Sequence, residues 1–133
     1  MSLHPLEPIP AVRRLDTNRS ALLAVEIAGH VSANDIENLY GLLEGAYSLH
    51  ERIDLFIRVV DHDGADWSEV SSETVADARS HAEKHIARCA TVGDRRATAR
   101  MAEIFCPSNA EHRHFESEDE AAAWAWLDAR EQS

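Results

Sequence analysis

The sequence predicts a mixed α/β domain: a β-sheet of about five strands in the order β-β-α-β-α-β-α-β-α, with four helices mainly on one face. Three observations lead there. Helical stripes alternate with short apolar strands along most of the chain, which demands parallel neighbours joined by crossovers. The first two strands follow each other across a short turn and so form an antiparallel pair. The strands also carry charged residues on their second face, whereas a doubly wound sheet would be apolar on both.

The elements follow in order. "AVRRL", "DTNRS" and "ALLAVEIAG" read as strand, turn and strand, with Leu23, Val25 and Ile27 on one face and Glu26 on the other. Ser32 is placed to cap "ANDIENLYGLLEGAYSLH", where Ile36, Leu39, Tyr40, Leu43 and Tyr47 form a helical stripe. Leu42, Ala46 and Leu49 widen that stripe beyond what a surface helix shows, while Gly41 and Gly45 lie on the back. "IDLFIRVV" sets Ile53, Leu55, Ile57 and Val59 opposite Asp54 and Arg58.

A second helix is expected from about Ser71 to His85, with an inner stripe of Ser71, Val75, Ala78 and Ala82. "IARCATV" is a short buried strand. Asp94 caps "RRATARMAEIF", whose stripe is Ala97, Met101, Ile104 and Phe105. "CPSN" breaks the chain and "HRHF" makes the last strand. "SEDE" has the spacing of a capping box, Ser117 with Glu120, opening a terminal helix "AAAWAWLDAR".

Length and composition narrow the function classes. A chain of 133 residues fits one domain, expected at 11–130 behind a loose leader at 1–10, "MSLHPLEPIP", that lacks the pattern of a signal peptide. Twenty-four acids against thirteen bases give a formal charge of −11, which disfavours nucleic acid and anionic lipid as partners. No tract is apolar enough to insert in a membrane. Two cysteines, Cys89 and Cys106, are too few for a disulfide framework, so a cytoplasmic protein with reduced thiols is expected.

Four segments resemble, in order, those of SpoIIAA-like proteins of the STAS superfamily. "IAGHVSANDIENL" is similar to that family's strand-Gly-x-hydroxyl-x-x-Asp segment, and "VVDHDGADW" to its acidic, Gly-containing loop with an aromatic residue. "HIARCATVGDRR" resembles its Ile-x-Arg-Ile-Ala-Val-Val-Gly-Asp-Lys strand and turn. "AEHRHFESEDEAAAWAWL" resembles its closing strand and final helix, and the likeness spans about residues 20 to 128. The resemblance implies a cytoplasmic bacterial domain without established catalysis, similar in fold to anti-sigma-factor antagonists or to carriers of small apolar ligands. Antagonists carry a phosphorylated serine in an Asp-Ser-Ser/Thr-Gly turn. Here the region reads "DWSEVSSETV", which offers Ser71 and Ser72 as phosphorylation candidates but lacks the glycine. Cys89, His112 and His114 stand where the family has aliphatic or aromatic residues.

The chemical candidates are few. His81 and His85, four apart on a helix, could present two imidazoles to one metal, but Ala82 stands where a zinc protease needs its Glu. A metal-dependent hydrolase built on this pair and a second histidine segment is the alternative reading. Asp61, Asp63 and Asp66 in "DHDGAD" miss the EF-hand spacing and read as a turn. "VGDRR" offers Arg95 and Arg96 at a helix start, where a solvated face is the simpler reading.

The expectation is therefore a non-enzymatic binding domain without cofactor or bound metal. Its partner is a small apolar or amphipathic ligand, or else a protein. An alanine-lined helix over a sheet can leave a gap, and Tyr40, Leu43, Tyr47, Val75, Ala78 and Ala82 are the expected cavity lining. Trp124 and Trp126, two apart on one helix, point about 200° from each other. The family pattern puts Trp126 with Leu127 in the core and leaves Trp124 for a cavity mouth or homodimer contact.

Overall fold

The computed structural model describes residues 11–132, and within them every side chain except those of His62, Asp63, Trp67 and Ile104. The expected leader at 1–10 lies outside the described residues. Five strands form one sheet: β1 (Val12–Leu15), β2 (Leu22–Val31), β3 (Ile53–Ala65), β4 (Ile86–Val92) and β5 (Glu111–Phe115). Their spatial order follows the chain, β1-β2-β3-β4-β5. β1 is antiparallel to β2, and the other neighbours are parallel. The helices are α1 (Ala33–Leu49), α2 (Ser72–His85), α3 (Arg95–Phe105) and α4 (Glu120–Trp126). The sequence predicts this mixed sheet and its four helices, and the structure has them.

The main core lies under α1, α2 and α3. Leu23, Val25 and Ile27 of β2 and Leu55 and Ile57 of β3 meet Ile36, Leu39 and Leu43 of α1, Ala82 of α2, and Met101 and Phe105 of α3. Local chemistry starts these helices. Ser32 Oγ accepts from the Asp35 amide while the Asp35 carboxylate accepts from the Ser32 amide, a capping box. Asp94 caps α3 by accepting from the Ala97 amide. Gly93 between β4 and α3 has φ +135°, and a Cβ there would stand 2.6 Å from the Val59 carbonyl oxygen. Only glycine fits that joint.

The second face of the sheet is partly covered. Ala24, Phe56, Ala90 and Val92 form a smaller core with Ala123, Trp124 and Leu127 of α4. Arginines tie α4 down. Arg19 and Arg88 both donate to the buried Asp54 carboxylate, at 2.9 and 2.7 Å. They also donate to the Leu127 and Trp126 carbonyls, which satisfies the open end of the helix. Burial pushes the Asp54 carboxyl up, but the hydrogen bonds and charges of the two arginines outweigh it and hold it below the ordinary value. Further along, Arg58 pairs with Glu26, Glu120 and Glu131.

Four sequence expectations are corrected here. Trp124, not Trp126, is the core indole: it is 8% exposed and stacks on Phe56 with ring centroids 4.1 Å apart. Leu127 shares a helix face with residues three and four before it, Trp124 and Ala123, so the interface role expected for Trp124 has no exposed indole to carry it. Trp126 is half-buried outside, between the Arg88 and Arg113 guanidinium groups. The expected Ser117–Glu120 capping box does not form; Ser117–Asp119 is a 3-10 turn without a side-chain cap. The Glu120 carboxylate is instead taken by Arg58 and by the Trp124 indole N–H. Cys89 and Cys106 are joined as a disulfide rather than reduced, because the end of α3 brings Cys106 over β4 with the Cα atoms 5.8 Å apart. Ser71 is not on the inner face of α2; it is the exposed N-cap.

Candidate functional site

Between α1 and α2 lies a recess of about 200 Å³, lined by Tyr40, Leu43, Glu44 and Tyr47 of α1 and by Thr74, Asp77, Ala78 and His81 of α2. Its floor follows from side-chain size. Tyr40, Leu43 and Tyr47 recur at helical spacing, and Ala78 opposite them is too small to fill the space. Tyr40 tilts against Phe105 with centroids 5.4 Å apart, and Tyr47 stacks on His85 at 4.5 Å. Both rings are thereby fixed as walls.

The two phenol oxygens are the unusual feature. Neither Tyr40 Oη nor Tyr47 Oη reaches solvent or has a hydrogen-bond partner among the described residues, and Tyr47 is only 9% exposed. An unsatisfied buried hydroxyl costs about 1–3 kcal/mol, so such groups normally have partners. Burial pushes the Tyr40 phenol above its ordinary value, against the opposing charge of Arg79. Burial, helped by the Glu44 charge, pushes the Tyr47 phenol up further. Both therefore stay neutral, able to donate and to accept. At the rim, His81 Nδ1 bonds to Glu44 Oε1 and links the two helices.

Of the expected lining residues, Tyr40, Leu43, Tyr47 and Ala78 line this recess. Val75 and Ala82 do not; they turn toward the main core, Ala82 buried in it and Val75 packed on its edge. Glu44, Thr74, Asp77 and His81 were not expected there. The signal for three of them was present: Thr74, Asp77, Ala78 and His81 form a second stripe on α2, one position round from the sheet-facing one.

The other candidates are occupied with local structure. His81 faces Glu44, while His85 Nδ1 bonds to the Glu51 carbonyl oxygen at 2.9 Å, so the pair does not converge. The second histidine segment is elsewhere: His112 and His114 bond to the buried Thr91 hydroxyl, and His114 also to Glu116. Burial lowers the His112 imidazole pKa, and the charges of His114 and Arg95 lower it further. Among the described residues, no group of three or more His, Cys, Asp or Glu is placed to hold a metal ion. This geometry does not support the hydrolase reading. Asp66 of the acidic loop bonds to His30 Nε2 at 2.8 Å. Ser71 Oγ accepts from the Thr74 amide and bonds to its hydroxyl, and Ser72 begins α2 on the exposed side.

Comparison with known proteins is consistent with this architecture. A family model described as SpoIIAA-like matches residues 22–128. No curated protein sequence matches the chain. Among solved structures, an uncharacterized protein of the DUF3478 family with a SpoIIAA-like fold, from Shewanella loihica PV-4, is 25% identical with a TM-score of 0.63. That likeness covers 91% of this chain and 97% of the other.

Proposed function

The chain belongs to the SpoIIAA-like family, and we propose that it is a non-enzymatic binding domain that takes up a small amphipathic molecule between α1 and α2. The observation that carries this reading is the pair of unpartnered phenol hydroxyls beside one recess. A molecule whose apolar body covers Leu43 and Ala78, and whose polar end meets Tyr47, would satisfy a buried group and fill the gap together. Ser71, His81 and His85 are bonded in a helix cap, to a carboxylate and to a carbonyl instead.

Native mass spectrometry of gently purified protein tests the reading. The expected spectrum has a non-covalent adduct released on unfolding, weaker in Tyr47→Phe. No adduct, together with no response of the recess residues to any single-ring amphiphile, would overturn it.

A protein partner is the second reading, and Leu49 favours it. This residue is 78% exposed and lines a groove between α1 and the start of β2, with Leu42, Ala46, Leu22 and Leu23. Leu49→Lys would then abolish co-purification of a partner and leave ligand uptake unchanged. Among the described residues no helix is long and apolar enough to cross a membrane.

A further inference from the structure

We infer that the α1–α2 recess selects a cationic amphiphile, a molecule with an apolar body about the size of one ring and a protonated amine. This rests on the binding reading above and adds the chemistry of the ligand's polar end.

Charge at the rim gives the first argument. The lining holds two carboxylates, Glu44 and Asp77, and no lysine or arginine. Its one basic side chain, His81, is already bonded to Glu44. Asp77 is exposed and makes no hydrogen bond or ion pair to any described residue. Arg79, whose charge reaches Tyr40, lies in a separate groove with Glu83 and Glu103. A carboxylate or phosphate entering here would face two like charges, and the formal charge of −11 on the whole chain opposes it as well.

Hydrogen-bond capacity gives the second. An ammonium group has three donors and no acceptor, so it needs oxygens around it. The recess supplies the Asp77 carboxylate and the free oxygen of Glu44, and beside it lie the Tyr40 and Tyr47 hydroxyls, whose lone pairs no described residue uses. Two electron-rich rings flank the space, which also favours a cation over a neutral group. Rim charge alone would be a solvated surface. The nine-tenths-buried Tyr47 with its unmatched hydroxyl makes it a lined site.

The test compares three probes of one shape, 2-phenylethylamine, 2-phenylethanol and phenylacetate, titrated into the ¹⁵N-labelled 133-residue chain at neutral pH and low salt. Shifts should appear at recess residues. The amine should bind about tenfold more tightly than the alcohol, equivalent to about 1.4 kcal/mol, and phenylacetate should not bind. Asp77→Asn and Glu44→Gln change exposed side chains, so the fold should persist. Each should bring the amine toward the alcohol's affinity and leave the alcohol's own unchanged. If alcohol or phenylacetate matches or exceeds the amine, the charge inference is overturned while the binding reading stands. If no probe shifts the recess, both fall. If the amine prefers the site but both carboxylate variants keep that preference, the inference is overturned through its mechanism.

Discussion

Tyr47 is the residue on which stability and binding are set against each other. Its hydroxyl is buried without a partner, so removing it should not cost the empty protein anything. Tyr47→Phe should stabilise the ligand-free chain by about 1 kcal/mol, read from urea unfolding, while weakening ligand uptake. A loss of stability would mean that the hydroxyl has a partner in solution. The two tryptophans give a second comparison. Trp124→Ala should cost about 3–5 kcal/mol as a core truncation. Trp126→Ala should cost about 1 kcal/mol or less, because it removes only half-exposed packing and contacts with arginine. Sequence reasoning ordered these the other way, for a traceable reason. In "IDLFIRVV" Asp54 and Arg58 mark the second face as polar, yet Phe56 lies between them on that same face. That phenylalanine requires a cover, and Trp124 is what covers it.

Among the elements, the legible ones were those whose signals are local. The Ser32 cap and the Asp94 cap need only neighbours in sequence. α4 was misread at its start because Arg58, far away in the chain, takes the glutamate that the box needed. The recess was half legible. α1 showed its tyrosines, but α2 has two usable stripes, and only the packing of α1 decides that the polar one lines the gap. The anchoring of α4 by Asp54, Arg19 and Arg88 has a pH signature. The folded Asp54 carboxyl titrates below its unfolded counterpart, so the unfolded state binds its proton first as pH falls. Its contribution is complete above the unfolded value of about 3.9 and is lost as pH falls through the lower folded value. Asp54→Asn should therefore lower stability at neutral pH and flatten the acid limb of a stability profile followed by circular dichroism. An unchanged slope below about pH 4 would contradict this linkage.

For the whole molecule, the account is of a family sheet that buries two cores of unequal size and, among the described residues, leaves its buried unpartnered side-chain hydroxyls at one place between α1 and α2. Topology was readable because alternating strands and helices admit few arrangements. The disulfide was not, because Cys89 and Cys106 meet only after α3 has packed on β4. The charge excess of acids acts at this scale too, favouring cationic visitors over anionic ones. The most direct measurement fills the recess and asks whether binding stops. Ala78→Leu puts three more carbons into the gap, beside Leu43 and Tyr47. Titrating 2-phenylethylamine into the wild type and this variant, followed by amide shifts, should show a folded variant in which the response of α1 and α2 is lost. A variant that stays folded and responds as the wild type does would place the ligand elsewhere and contradict the account.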